Sequence, residues 1–340
     1  MSFTLYVHVG SGKAGSSAIQ KALLQHAKKL AEKKVKYLGL MLEHMGGNDA
    51  EWKKPYGWPV YVNNSVKYKN ELLFQLEEGI AELVSHGYNS AVWSNESLFG
   101  QVDLLRDVKA LGKKAGFKVK IICYFRNHTS WAISAYKQWG IKHKSYSGPI
   151  KPFSEWSKER PVVFSVLADK WSRDFKEDFI IKNYDADKNL VSNFFNIINP
   201  GDNDFLDVDV VANKTPDRLI LSLWALYNNQ FSDEVLPNQL EPLLQRSGIL
   251  NHDIVGVSLD ELFPSDSDVR DLNDRCKDDL AALNDILTAS GEPSLKAPES
   301  LKERESVTSN DLIAALLFML EKHDKEIRQL KRKLKNLEAN

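Results

Sequence analysis

Five short apolar runs, Thr4–Val9, Val35–Leu40, Ser90–Trp93, Val119–Phe125 and Phe179–Lys182, are separated by segments whose apolar residues recur at helical spacing. Such alternation has few solutions: the strands lie parallel in one sheet and the helices cover its faces. The spacing predicts helices over Ser17–Lys33, Val66–His86, Asp103–Ala115, Thr129–His143, Val162–Phe175, Leu190–Ile198, Pro216–Asn229 and Asp268–Thr288. The expected fold is α/β, a parallel sheet of about five strands of phosphate-loop type flanked by helices. Residues 1–290 are expected to form this domain, with 200–290 mainly helix and loop.

At 340 residues and 43% apolar composition, the chain can bury a full core without disulfide or metal support. Cys123 lies inside an apolar run and Cys276 is far from it, so both are read as reduced thiols, with Cys123 in the core. The formal charge of −1 gives no general field to attract nucleic acid or an anionic membrane, so any anion binding must be local. No apolar run approaches the roughly 18 to 20 residues that span a bilayer, and no secretory segment precedes the first strand. The expectation is a cytoplasmic protein.

The local anion site is expected after the first strand. Gly10-Ser-Gly-Lys-Ala-Gly-Ser-Ser17 follows Thr4–Val9 and opens the first helix. Glycines at 10, 12 and 15 let the backbone turn and approach a ligand closely, and the helix start converges N–H groups on negative charge. Lys13, Ser16 and Ser17 add a cation and two hydroxyls. The nucleotide-triphosphate pattern G-x4-G-K-[ST] would need glycine at 7 and a hydroxyl at 14, where the chain has Val7 and Ala14. The missing hydroxyl is the magnesium ligand of those enzymes, which argues against a kinase or ATPase.

Lys13-Ala-Gly-Ser-Ser17 instead resembles the 5′-phosphosulfate loop of sulfotransferases that use 3′-phosphoadenosine 5′-phosphosulfate (PAPS), whose usual form is K-T-G-T-T. Ala14 departs from that form but leaves the backbone donors in place. Ile121-Ile-Cys-Tyr-Phe-Arg126 is similar to a second landmark of the family, a buried strand ending in arginine, with a helix serine eight residues later at Ser134. The resemblance implies that Arg126 and Ser134 bind the 3′-phosphate, a role suited to a planar guanidinium that can grip phosphate bidentately. Phe153-Ser-Glu-Trp, Lys170-Trp-Ser-Arg-Asp-Phe175, Phe179–Asp185, Leu190-Val-Ser-Asn-Phe-Phe and Asn213-Lys-Thr resemble weaker landmarks of bacterial carbohydrate sulfotransferases. The likeness covers roughly residues 3 to 230.

The resemblance implies sulfuryl transfer from PAPS to a hydroxyl, with carbohydrate as the acceptor class, PAP as product and no metal required. Gly12, Gly15, Ser16 and Ser17 would hold the 5′-phosphate, and Lys13 would balance charge on the bridging oxygen. Tyr184 is similar to an adenine-side position. Glu96, in Ser94-Asn-Glu96 just past a central strand, is the expected general base, as in carbohydrate sulfotransferases that use glutamate. His8, His44 and His128 are alternative bases. Trp52, Tyr56, Trp58 and Tyr61, in the glycine- and proline-rich stretch 44–65, are read either as domain packing or as a stacking surface for a flat acceptor.

Residues 291–307 read as a linker. Beyond 308, Ile313, Leu320, Ile327 and Leu334 fall at heptad a, and Leu316, His323, Leu330 and Leu337 at d. That pattern favours a parallel two-stranded coiled coil and a homodimer through residues 308–340; one amphipathic helix on its own domain is the alternative. Two other functions stay open: a nucleotide kinase with a degenerate phosphate loop, and a non-catalytic nucleotide-binding assembly module.

Overall fold

The computed structural model describes residues 3–47, 49–201, 218–229, 231–235, 262–301, and positions 308, 309, 312, 316, 323 and 326–334. In chain order the elements begin β1 (Thr4–His8), α1 (Ser16–Gln25), α2 (Ala27–Glu32), β2 (Val35–Tyr37), α3 (Trp58–Asn63), α4 (Ser65–Ser85) and β3 (Ser90–Ser94). After a 3-10 turn at Glu96–Leu98 come α5 (Val102–Ala115), β4 (Lys118–Phe125), α6 (His128–Ala135) and a π-helical segment Tyr136–Lys142. Then follow α7 (Phe153–Glu159), α8 (Ser165–Phe175), β5 (Phe179–Asn183), α9 (Leu190–Ile198), α10 (Arg218–Asn228) and α11 (Asp266–Ala289).

The five strands form one parallel sheet in the order β2-β3-β1-β4-β5, the α/β architecture that the alternation predicts. Every residue of β3 is buried, as are the last five of β4, because helices cover both faces of the central strands. On one face Ile19, Ala22, Leu23 and Leu30 meet Val92, Ile122, Phe194 and Phe195. Phe99, Phe125 and Phe164 stack edge-on against one another, with ring centroids 5.8–6.2 Å apart. Both cysteines are buried and free. Among the described residues no helix is long and apolar enough to cross a membrane.

Two helical expectations change, and one stretch read without a helix gains one. Ser17–Lys33 divides at His26 into α1 and α2, yet the apolar face runs on through Ile19, Leu23 and Leu30, so periodicity alone does not register the bend. Thr129–His143 is α-helical only to Ala135. It then widens, with His143 N–H donating to Gln138 O at 2.7 Å in the i to i−5 manner of a π-helix. Within 44–65, Trp58–Asn63 is a helix with proline in its first turn, where a missing N–H costs nothing.

Two compact units result, one from residues 1–131, 162–214 and 273–297, the other from 132–161, 215–272 and 298–340. The first holds the sheet. Its late segment is tied down: Glu292 pairs with Lys182, and Asn183 Nδ2 donates to Pro293 O at 2.8 Å. The stretch read as a linker from 291 therefore starts with residues anchored to β5. In the second unit Tyr136 donates its hydroxyl to Leu262 O at 2.7 Å, and the buried Lys144 donates to the carbonyls of Gly148 and Phe231. The start of the Pro216 helix, the Asn213 loop, and heptad residues Ile313, Leu320 and Leu337 lie outside the described residues.

Candidate functional site

Ligand sites of open parallel sheets form at the carboxyl edge where neighbouring connections leave in opposite directions. With the order β2-β3-β1-β4-β5, the connection after β1 runs toward β2 and that after β4 runs toward β5. The crevice between β1 and β4 is flanked by the glycine loop on one side and Arg126 on the other.

The loop is built for an unusual backbone path. Gly10, Gly12 and Gly15 have φ of 43°, 68° and 87°, and Lys13, a non-glycine residue, has φ of 50°. A left-handed lysine is uncommon and persists only where its surroundings hold it. Here Ser11 Oγ donates to Tyr124 O at 3.0 Å, Trp131 Nε1 donates to Ser11 O and Gly12 O at 3.0 and 3.1 Å, and Arg126 Nη1 donates to Lys13 O at 3.3 Å. Three successive carbonyls thus face β4 and α6. In a trans peptide the next N–H points the opposite way, so the N–H groups of Gly12, Lys13 and Ala14 face away from Trp131 and Arg126.

Helix α1 starts at Ser16 with Gly15 as its N-cap. Ala18 and Ile19 donate to Gly15 O at 3.0 and 3.1 Å, which leaves the N–H groups of Ser16 and Ser17 at the open, positive end of the helix. A Cβ on Gly15 would lie 2.2 Å from Leu190 Cδ2 and 3.0 Å from Tyr184 Cε2, so only glycine fits there. Ser17 is exposed. Among the described residues the buried Ser16 Oγ has no hydrogen-bond partner, a state that costs about 1–3 kcal/mol unless something supplies one.

Arg126 lies over the Tyr184 ring, 5.4 Å from its centroid, and its Nε is 3.6 Å from Asp185 Oδ1. Asp185 also accepts from Asn127 N at 2.7 Å, which fixes the turn after β4. Lys13, Ser16, Arg126 and Tyr184 therefore converge around one loop. Ser134 is half-buried on the last turn of α6, in the second unit. Trp131 and Asp185 are supporting residues that motif reading missed; the signal lay only in their nearness in sequence to Arg126 and Tyr184.

Glu96 opens the 3-10 turn after β3, where Asn95 caps it by accepting from Ser97 N at 2.9 Å. Its Oε2 accepts from Gln20 Nε2 at 2.7 Å, and Gln20 also donates to Ser94 O. Gln20 sits on α1 one turn past Ser16, so Glu96 is coupled to the helix that carries the loop. Burial, then the carboxylates of Glu43 and Glu96, push the nearby Tyr37 hydroxyl up from its ordinary range.

The three histidines divide by environment. His8 is fully buried with Nδ1 2.8 Å from Ser94 Oγ, and burial holds it down at about 3, so its ring is neutral at physiological pH. His128 is buried with Nε2 2.5 Å from Asp279 Oδ2. His44 is exposed and meets Tyr37 edge-on at 5.2 Å. Among the aromatics of 44–65, Trp52 and Tyr61 are buried, Trp58 stacks on Tyr61 at 5.5 Å, and Tyr56 is exposed.

No family model and no curated protein matches the chain. Among solved structures, it is similar to a chain from the PezAT chromosomal toxin-antitoxin system of Streptococcus pneumoniae. The identity is 15%, the TM-score 0.29, and the match covers 55% of this chain and 69% of that one.

Proposed function

We propose that the protein is a sulfotransferase that moves a sulfuryl group from PAPS to a hydroxyl, with a carbohydrate as acceptor. The observation that carries the reading is the buried, unpartnered Ser16 Oγ at the start of α1, beside a loop whose far flank carries Arg126. An anion on the N–H side of the loop and a second at the guanidinium match a nucleotide with separate 5′ and 3′ phosphates. Val7 and Ala14 remove the residues that a triphosphate and its magnesium would need.

On this reading PAPS supplies the activated sulfur. Ser16, Ser17 and the helix start hold the 5′-phosphate, Arg126 takes the 3′-phosphate, and Tyr184 borders the adenine. The acceptor oxygen forms a bond to sulfur as the sulfur–oxygen bond to the 5′-phosphate breaks, and PAP leaves. Glu96 takes the hydroxyl proton, and the hydrogen bond from Gln20 holds its carboxylate in place. Lys13 stabilises negative charge on the departing phosphate oxygen.

Calorimetric titration tests the donor assignment. The protein is expected to bind 3′,5′-adenosine bisphosphate without magnesium and at least about tenfold more tightly than ADP, a difference of about 1.4 kcal/mol. Magnesium-dependent ATP binding with no preference for the 3′-phosphate would instead identify a kinase. Tight bisphosphate binding without turnover across a broad acceptor panel would identify an assembly module.

The second part of the proposal is a homodimer through residues 308–340. Ile327, Leu330 and Leu334, at successive a and d positions, are 49%, 59% and 58% exposed in the single chain. Deleting 308–340 is expected to halve the mass measured by light scattering; an unchanged mass refutes the zipper.

A further inference from the structure

A cavity of about 420 Å³ opens beside edge strand β2, lined from α2, α4, the 44–46 loop and the residues entering β2 and β3. Its size falls within the range of small-molecule sites, about 300–1,000 Å³. Its lining includes two lysines, Lys34 and Lys36, and the imidazoles of His44 and His86, against one carboxylate, Glu82. Neither Lys34 nor Lys36 has an ion-pair partner among the described residues. An excess of cations over carboxylates around a concave surface raises the local concentration of anions.

The cavity is joined structurally to Glu96. Glu43 accepts from Leu40 N and Met41 N at 3.0 and 2.6 Å, which fixes the loop that carries His44. Trp93 Nε1 and Asn95 Nδ2 both donate to Leu40 O, at 2.8 and 2.9 Å. One loop therefore lines the cavity at His44 and is pinned, at Leu40, to the residues just before Glu96. Tyr37 lies between, edge-on to His44 and within the field of Glu96.

We propose that this cavity is a second binding site, which takes the carboxylate or sulfate of an acidic saccharide. Its role as a subsite for a more distant unit of a long acceptor, since the residues entering β2 and β3 lie at the amino end of strands whose carboxyl end leads to Glu96, rests on the sulfotransferase reading. The anion site itself does not. Lys34 and Lys36 supply the charge, and the His44 and His86 rings border the sugar.

Histidine ring resonances, followed by NMR during titration, test the site with three probes: a glucuronate-containing disaccharide, uncharged cellobiose and inorganic sulfate. The glucuronate disaccharide is expected to shift the His44 and His86 signals saturably, and cellobiose to leave them in place. The double variant Lys34→Gln, Lys36→Gln should weaken that binding at least about tenfold, and Glu82→Gln should strengthen it. Both variants should keep wild-type affinity for 3′,5′-adenosine bisphosphate, which also reports that they are folded. Unshifted histidines, or affinity unaffected by the lysine changes, overturn the site. Sulfate binding as tight as the disaccharide overturns the saccharide assignment. Saturable disaccharide shifts in a protein with no bisphosphate affinity would leave the anion site standing and remove the sulfotransferase reading.

Discussion

Arg126→Ala is expected to weaken 3′,5′-adenosine bisphosphate binding by at least about thirtyfold, the lower end of the 2–5 kcal/mol that truncating one member of a hydrogen-bonded charge pair costs. ADP, which has no 3′-phosphate, should bind wild type and variant alike. The argument is geometric. Strand β4 delivers Arg126 to the carboxyl edge, Tyr184 supports its plane, and Lys13 O takes only one of its five donors. Arg126→Lys keeps the charge but loses the planar fork, and should fall between the two. Side-by-side calorimetry checks this, and a loss below about threefold, or an equal loss for ADP, would remove Arg126 from the 3′-phosphate role. Because Arg126 also braces Lys13 O, the ADP arm separates a collapsed loop from a missing phosphate contact.

The second large effect concerns stability. Asp279 on α11 accepts from His128 Nε2 at 2.5 Å, Phe164 N at 2.9 Å, Ser165 N at 3.1 Å and the Ser165 hydroxyl. Asp279→Ala strands those donors around a buried imidazole and is expected to cost about 3 kcal/mol, read as a lower urea midpoint. Burial by itself would push this carboxyl up; the hydrogen bonds from His128, Ser165 and Phe164 outweigh it and hold the group at about 2, against an ordinary 3.8. A depressed carboxyl stabilises the fold above its unfolded value and loses that contribution as protons return. The advantage of wild type over Asp279→Asn should therefore be full above about pH 4 and shrink as pH falls toward 2. Midpoints that stay a constant distance apart across that interval would show that the charge on Asp279 is not what holds α11.

The sheet was legible because each strand announces itself: Ile121 to Phe125 is apolar throughout, as only a strand covered on both faces can be. Gly15 was legible for the same reason, since a strand, a glycine and a helix start in that order leave the backbone little choice. What sequence does not carry is the partner of a polar side chain. Nothing around Gln20 points to Glu96, 76 residues away, and nothing around His128 points to Asp279, 151 residues away. Both pairings are made by strand order and helix packing, which bring distant segments to the same edge. The π-helical turn at Tyr136–Lys142 was invisible for another reason: its apolar residues still fall on one face, and periodicity reads faces rather than hydrogen-bond spacing.

The anchoring of residues 273–297 to the first unit bears on how the protein is born. Lys182 and His128 emerge from the ribosome long before their acceptors, Glu292 and Asp279, have been made. The early strands can pair as they appear, but the unit that carries the glycine loop closes only after synthesis has passed residue 292. Until then the nascent chain carries a buried-type imidazole, His128, whose carboxylate partner has not been made, and the last part of the unit to be translated completes what the first part began.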